Sequence, residues 1–309
     1  MKKVSLKMTD SNPFRFVKSV VVITVFSILA CSCSNDDNHV PIQKEEHPVT
    51  TKEISQEIKE LIFFKGNENA SSVLISIPGG PSTEFDTSLV NLIFENFTTT
   101  DLLTINVHQA QTLDSTRVKG NDLTLEQAVG LNSESIEMLD KVISYFKEQD
   151  RTVYVFGLSF GSFIVQDLIA KKGVDTADKY LMMLGRLDMN DAIWQAASEG
   201  KEAEFENGVT PILFPDPLPV IKERNLLRIS AGFARNRYTQ LLNTIEDLSN
   251  LTYIYGATDN AVGSLTAYEV QFLKSKNANI LTGNGGHDEP FVGFFEQGLK
   301  DAFGIELLP

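Results

Sequence analysis

The sequence predicts an α/β protein with a mainly parallel sheet that helices cover on both faces. From about residue 57 onward, β-rich runs alternate with segments whose apolar residues recur at helical spacing. Several of the β-rich runs are nearly continuous in apolar residues, which is typical of strands buried on both faces. Residues 189–250 interrupt this alternation with about sixty residues and no good strand, so we expect an inserted helical cap there.

The predicted elements follow in chain order. Residues 57–65 and 72–77 are β-rich runs on either side of Gly66-Asn67-Glu68-Asn69, and we expect them to form a hairpin. Periodicity then predicts further strands and helices in alternation. The strands are expected at 102–107, 152–158, 179–184, 251–255 and 278–281. The helices are expected near 85–93, 136–146, 160–172, 265–274 and 290–303.

Charge and composition exclude some classes of function. The 309 residues carry a formal net charge of −14, with 42% hydrophobic and 22% charged residues. That composition is ordinary for a globular protein. A nucleic-acid partner is disfavoured, because phosphate binding relies on clustered lysine and arginine.

The first thirty residues predict an export signal. A basic segment precedes an apolar run, residues 19–30, which is short for a membrane span. The run ends in Ala30-Cys31-Ser32-Cys33, which resembles the lipobox of bacterial lipoproteins, where the cysteine after a small residue becomes the lipidated N-terminus. Cys31 fits that pattern better, and Cys33 is the alternative. We therefore expect an exported protein with a lipid anchor in the bacterial cell envelope, on the periplasmic side or at the cell surface.

The domain organisation follows from these observations. Residues 1–30 are the predicted signal peptide, and the polar residues 31–55 are a predicted flexible tether. The core is expected at 56–188 and 251–309, with the helical cap at 189–250. Cys31 and Cys33 are the only cysteines, so we expect neither a disulfide nor a thiolate metal site in the folded part.

A nucleophile motif lies at the end of a predicted strand. Thr152–Leu158 leads directly into Gly157-Leu158-Ser159-Phe160-Gly161, and an amphipathic helix follows. A Gly-x-Ser-x-Gly sequence between a strand and a helix is typical of a nucleophile elbow, in which a sharp turn exposes the serine hydroxyl. The two glycines let strand and helix pack closely. We expect Ser159 to be the nucleophile.

A serine hydroxyl needs a base to take its proton. The sequence has four histidines, and two of them, His39 and His47, lie in the predicted tether. His287 follows the last predicted strand in a glycine-rich loop, where this kind of site places its base. His108 follows the strand at 102–107, and a solvated loop histidine explains it better. His287 is therefore the predicted base.

A carboxylate between the serine and the histidine is needed to orient the imidazole. Asp259 follows the strand at 251–255 after a glycine and a short turn, and it is the predicted acid. Asp188 ends the preceding strand region and is the alternative acid.

The oxyanion hole needs two backbone amides. One is expected from Phe160, at the start of the helix after the serine. The other is expected from Pro78-Gly79-Gly80-Pro81, which follows the strand at 72–77. Gly80 is the preferred donor there, and Gly79 stays an alternative.

These motifs together resemble the α/β-hydrolase superfamily, from about residue 57 to the C-terminus. The Gly-Gly-Pro turn and the position of the cap are similar to the proline iminopeptidase and epoxide-hydrolase-like branch. The resemblance implies an eight-stranded, mostly parallel sheet with a helical cap over the serine. The chain departs from that branch at Ile77, where histidine is usual, and at His108-Gln109, where an Asp-x-Arg-Gly turn is usual. These departures weaken any inference of the substrate from that branch.

The function expected from these residues is hydrolysis of an ester or amide through an acyl-enzyme on Ser159. The substrate is expected to be a small ester, amide or short peptide, and no metal or organic cofactor is implied. An aminopeptidase of the proline iminopeptidase type is the alternative. It would need cap carboxylates for the substrate amine, and Glu202, Glu204 and Glu206 are candidates, although an acidic helix face exposed to solvent explains them better. A lipid-anchored binding protein on an inactive hydrolase scaffold is the third hypothesis.

Overall fold

A computed structural model describes residues 53–97 and 101–308. Seven strands form its main sheet: β1 (Ile62–Gly66), β2 (Ser72–Ile77), β3 (Leu102–Val107), β4 (Thr152–Leu158), β5 (Lys179–Met183), β8 (Leu251–Gly256) and β9 (Asn279–Gly283). Their order across the sheet is β1-β3-β2-β4-β5-β8-β9. β1 runs antiparallel to β3, and the other neighbouring strands are parallel. The carboxyl ends of the parallel strands therefore meet at one edge of the sheet.

Helices cover both faces of this sheet and bury its apolar side chains. One face packs against α4 (Leu125–Lys147), α5 (Phe160–Lys172) and α9 (Ala267–Ser275), and the other packs against α2 (Ser88–Asn96) and α10 (Glu289–Phe303). Both faces of the interior strands are buried, as the nearly continuous apolar runs predict. Two short helices, α1 (Gln56–Lys59) and α3 (Ala110–Leu113), complete the helices of the core.

The predicted α/β class with a mostly parallel, helix-covered sheet is confirmed, whereas two details of the sheet are wrong. The described residues form seven main-sheet strands, where eight were expected. β1 and β2 do not form a hairpin, because β1 pairs with β3. The physical reason is that β2 is apolar on both faces and occupies an interior position, with parallel partners β3 and β4 on its two edges. Residues 56–59 form a helical turn, which leaves a shorter β1 at the edge.

The cap region contains two strands as well as helices. Its elements are α6 (Asp191–Ser198), β6 (Lys201–Glu206), β7 (Thr210–Pro217), α7 (Ile221–Ala234) and α8 (Tyr238–Leu241). β6 and β7 form an antiparallel hairpin, so the expectation that this segment has no strand is wrong. The missed signal is Asn207-Gly208 at the turn. Both residues have positive φ, 54° and 73°, which is the backbone that a tight hairpin turn needs and that Asn-Gly favours.

The N-terminal predictions fall largely outside the described residues. The signal peptide, both candidate lipidation sites, Cys31 and Cys33, and nearly all of the tether precede residue 53. In the part of the chain that the structure describes, no helix has the length and apolar character needed to cross a membrane.

Candidate active site

Ser159 occupies the sharp turn that joins β4 to α5. Its backbone has φ 52° and ψ −114°, a conformation that costs a non-glycine residue about 1–3 kcal/mol. Its backbone N–H donates to the Met183 carbonyl oxygen at 2.7 Å, which ties the turn to β5. A Cβ on Gly161 would overlap the Ile77 carbonyl oxygen, and a Cβ on Gly157 would lie 2.6 Å from the Gly161 carbonyl oxygen. The two glycines are therefore required by the close approach of strand, loop and helix.

A chain of hydrogen bonds links Ser159, His287 and Asp259. The Ser159 Oγ lies 2.8 Å from the His287 Nε2, and the His287 Nδ1 lies 2.7 Å from the Asp259 Oδ2. The second oxygen of the Asp259 carboxylate accepts the backbone N–H groups of Ala261 and Val262 at 2.8 and 3.0 Å. The three residues follow β4, β9 and β8, so parallel pairing brings them to one edge of the sheet.

The hydrogen bonds define how the imidazole is oriented. An ionised carboxylate only accepts hydrogen bonds, so the His287 Nδ1 carries the proton in its bond to Asp259. The Nε2 lone pair then faces the Ser159 hydroxyl and is able to accept its proton. The Asp259 side chain is 2% exposed, and its two backbone donors and His287 satisfy both oxygens.

The alternative acid, Asp188, lies elsewhere. Its carboxylate accepts the backbone N–H of Thr239 at 3.1 Å and the hydroxyl of the same residue. That pair anchors the first turn of α8 to the end of the β5 region. The structure thus brings Asp259, and not Asp188, to His287.

His108 packs beside the loop that follows β2. Its ring stacks on Phe85, with 3.6 Å between ring centroids, and its Nδ1 lies 3.1 Å from the Thr112 Oγ1. Burial lowers the pKa of His108, because desolvation disfavours the imidazolium. Its contacts are thus with this loop and α3, and the bond to Ser159 is made by His287.

Two of the predicted oxyanion residues border the same cavity as Ser159. Phe160 is the first residue of α5, so its N–H is one of the free donors at a helix N-terminus. Gly80 also lines that cavity, and Gly79 lines a second, smaller pocket. Gly80 has φ 145°, a backbone conformation that favours glycine. Gly79 also lies beside the serine, since a Cβ there would be 3.4 Å from the Ser159 Cβ, so the choice between Gly80 and Gly79 as the donor stays a prediction.

A cavity of about 200 Å³ opens beside Ser159 between the sheet domain and the cap. Lys201, at its edge, is the charged residue among those that line it, and its ammonium pairs with Glu199 at 2.6 Å. Of the wall residues, the sequence predicted Gly80, Ser159 and Phe160 as site residues; it did not predict the others, because they come from α5, α6, α7, β6 and separate loops, and no local pattern marks them. The apolar part of the wall includes Phe160, Phe163, Met189, Ile193, Trp194 and Val262.

The cap glutamates lie on a strand and not on a helix face. Lys201 and Ala203 of β6 line the cavity, and Phe205 is buried. Side chains alternate between the two faces of a strand, so Glu202, Glu204 and Glu206 occupy the opposite face of β6. They are absent from the wall of the described cavity. Among the described residues, no group of three or more His, Cys, Asp or Glu side chains is placed to hold a metal ion.

Comparison with known proteins identifies the fold. No protein-family description matches the sequence, and no curated protein matches it. Among solved structures, MGS-M2, an α/β hydrolase enzyme from a Medee basin deep-sea metagenome library, superposes with a TM-score of 0.51 at 14% identity, over 79% of this chain and 94% of that one. The fold is the α/β-hydrolase fold.

A weaker likeness extends to other solved structures of this kind. A thermostable carboxyl esterase from Bacillus coagulans has a TM-score of 0.49 at 12% identity, over 79% of this chain and 93% of that one. A metagenome-derived lipolytic enzyme of the LipS and LipT pair has a TM-score of 0.47 at 13% identity, over 79% and 97%. At such identities, likeness concerns the fold alone, and the activity has to be argued from the site.

Proposed function

We propose that the protein is a serine hydrolase that cleaves an ester bond through an acyl-enzyme on Ser159. The observation that carries the proposal is the chain of hydrogen bonds from the Ser159 Oγ through His287 to the buried Asp259, at 2.8 and 2.7 Å. A serine, a base and an orienting acid in this arrangement activate a hydroxyl for acyl transfer on several unrelated folds.

The chemistry proceeds in two halves. In the first, the Ser159 Oγ attacks the substrate carbonyl carbon while its proton passes to the His287 Nε2. The N–H groups of Gly80 and Phe160 stabilise the oxyanion that develops, and His287 then gives its proton to the leaving group. In the second half, a water molecule attacks the acyl-enzyme, with His287 again as base. The bond between the acyl carbon and the Ser159 Oγ then breaks, His287 returns the proton to the Oγ, and the carboxylic acid is released.

The cavity favours an uncharged acyl group. Its wall is mostly apolar, so burial of an alkyl or aromatic acyl chain there is favourable. A substrate with a free amino group needs a carboxylate partner in a buried site, and the three cap glutamates lie on the other face of β6. Lys201, the one charged residue among the described residues of the wall, is a cation paired with Glu199 and offers no carboxylate to an ammonium group. These observations favour an esterase over the aminopeptidase alternative.

The experiment compares the wild type with Ser159→Ala. The wild type is expected to hydrolyse p-nitrophenyl butyrate and to be labelled by a fluorophosphonate probe, and Ser159→Ala should lose both, because the nucleophile is removed. Ser275→Ala is the matched control and should behave as the wild type. It removes a hydroxyl at the end of α9 that donates to the Phe272 carbonyl oxygen. Folded wild-type protein that neither turns over esters nor takes the probe would favour the binding-protein hypothesis.

A second comparison separates esterase from aminopeptidase. The wild type is incubated with p-nitrophenyl esters of alkyl acids and with prolyl and alanyl p-nitroanilides. We expect turnover of the esters and little or none of the anilides. Faster turnover of the aminoacyl anilides would contradict the assignment to esters while leaving the roles of Ser159 and His287 intact.

A further inference from the structure

The cap hairpin is bonded directly to the loop that carries Asp259. This loop, residues 257–265, is called the acid loop below. The Phe205 N–H of β6 donates to the Asn260 carbonyl oxygen at 2.8 Å, and the Ser264 N–H donates to the Gly208 carbonyl oxygen at 2.8 Å. The hairpin turn lies so close that a Cβ on Gly208 would be 3.0 Å from the Asp259 backbone nitrogen. The conformation of the acid loop therefore depends on the hairpin.

A buried arginine lies behind this junction. Arg186 follows β5 and is 8% exposed. Its guanidinium lies over the Phe205 ring, with 5.2 Å from Cζ to the ring centroid, and its Nε is 3.7 Å from a carboxylate oxygen of Glu269. Its Nη1 packs so tightly against Gly263 of the acid loop that a Cβ there would overlap it. Arg186 thus contacts the hairpin, the acid loop and the start of α9 at once.

Stability alone does not explain why a charged side chain is buried at position 186. Its Nε and Nη1 are buried without a hydrogen-bond partner among the described residues. The Glu269 carboxylate already accepts backbone N–H groups from Leu187, Asp188 and Thr266, so it compensates the arginine only in part. Burying a partly compensated charge costs free energy, and an apolar side chain of similar volume is often as stable. A role in the site accounts for the charge better than a role in folding.

We propose that Arg186 is a positioning residue for Asp259 and acts through the β6–β7 hairpin. The guanidinium holds the Phe205 ring, the Phe205 N–H holds Asn260, and Asn260 is the neighbour of Asp259 in the chain. The Nη1 contact at Gly263 holds the other end of the same loop. The inference rests on the proposed function of Ser159, because it assigns to Asp259 the orientation of His287.

The same loop forms part of the cavity wall. Ala261 and Val262 line the cavity with Ala203 of the hairpin, and the backbone N–H groups of Ala261 and Val262 hold the Asp259 carboxylate. An acyl group in the cavity therefore contacts the segment that orients the acid. Loosening the junction should lower kcat and raise KM together, since the acid and the cavity wall move as one piece.

The chain offers a matched control in Arg151. It is 7% exposed, its guanidinium lies 5.3 Å from the Phe146 ring centroid, and its Nη1 also has no hydrogen-bond partner among the described residues. Arg151 precedes β4, at the end of the sheet opposite to Ser159. Arg186→Met and Arg151→Met therefore remove two similar buried cations, of which only one contacts the acid loop.

The experiment uses two readouts on the full chain. Proton NMR follows the low-field resonance of the proton between the His287 Nδ1 and Asp259, which needs no substrate. The rate of fluorophosphonate labelling follows the reactivity of Ser159. We expect Arg186→Met to weaken or shift the resonance and to slow labelling by about tenfold to a hundredfold, the loss that misplacing a catalytic group by about 1 Å produces. Arg151→Met should keep the resonance and the wild-type rate, and Arg186→Lys should recover part of both.

The outcomes separate this inference from the proposed function. A folded Arg186→Met variant with the wild-type resonance and labelling rate overturns the positioning role, as does an equal loss in Arg151→Met. If Arg186→Met does not fold, Phe205→Leu is the alternative test, because it removes the ring under the guanidinium. Retention of the resonance in that variant again overturns the positioning role. A wild type that shows the resonance but takes no probe refutes the proposed hydrolase, while the alignment of Asp259 is still measured.

Discussion

Two carboxylates near the same edge of the sheet have different partners. Asp259 and Asp188 each follow a strand of the sheet and precede His287 in the chain, so spacing alone left both open. The structure separates them by their hydrogen bonds, because Asp259 contacts His287 while Asp188 holds Thr239. Local pattern predicted where the candidate acids leave the sheet, but the direction of a side chain depends on neighbours distant in sequence.

This difference predicts opposite effects of two conservative substitutions. Asp259→Asn should reduce kcat for p-nitrophenyl butyrate on the order of 10³–10⁴-fold, because an amide in this place favours the wrong tautomer of His287. Asp188→Asn should keep most of the activity and lower the thermal midpoint, because the amide is a weaker partner for the Thr239 N–H and hydroxyl. Steady-state kinetics and thermal unfolding of both variants check this. A larger loss of kcat in Asp188→Asn would reassign the acid.

At the scale of elements, the hairpin in the cap is the main departure from expectation. Its sequence carried a local signal, Asn207-Gly208, after a run in which Ala203 and Phe205 alternate with glutamates. The charges of β6 and the prolines of β7 hid that signal, since Pro211, Pro215 and Pro217 are unusual in a strand. β7 tolerates them because it pairs on one side only, with β6. The position of β1 beside β3 had no local signal at all.

An ionic link between α7 of the cap and the loop before α4 leads to a pH-dependent prediction. Asp122 accepts hydrogen bonds from Arg224 at 2.7 and 2.8 Å and from Arg228, which together hold the pKa of its carboxyl far below the usual range. A lowered folded-state pKa stabilises the protein above the unfolded pKa of about 3.9, and that contribution is lost as the pH falls toward the folded pKa.

Asp122→Asn should therefore unfold at a lower temperature than the wild type at pH 7. The difference between the two unfolding temperatures should narrow as the pH is lowered below about 4. Protonation of Asp122 then removes the stabilisation that the wild-type carboxylate provides. The difference should also narrow in 1 M NaCl, since half of the Asp122 side chain is exposed and salt screens such pairs. Calorimetry at several pH values checks this, and equal midpoints at pH 7 would show that the link adds no stability.

At the scale of the whole molecule, the N-terminal sequence bears on where the protein is located. We propose that residues 1–30 direct export and that Cys31 is lipidated, on the strength of the basic segment, the short apolar run and the small residue before Cys31. The polar residues 31–55 would then separate the folded domain from the lipid.

Metabolic labelling with a fatty acid in a bacterial host tests the anchor. The wild type and Cys33→Ala should incorporate label and fractionate with membranes, whereas Cys31→Ala should do neither, because the acceptor thiol is gone. Label lost in Cys33→Ala and kept in Cys31→Ala would move the site to Cys33. Label absent from the wild type would contradict the lipoprotein interpretation.

The sequence by itself determined the alternation of strands and helices, the turn at Ser159 and the places where His287 and Asp259 leave the sheet. These features depend on periodicity and on residues a few positions apart, such as the two glycines around Ser159. Only the tertiary structure decided the strand order, the choice between Asp259 and Asp188, the apolar cavity and the contact of Arg186 with the acid loop. Each of these is a contact between segments far apart in the chain, and its free energy depends on burial and pairing that no local pattern records.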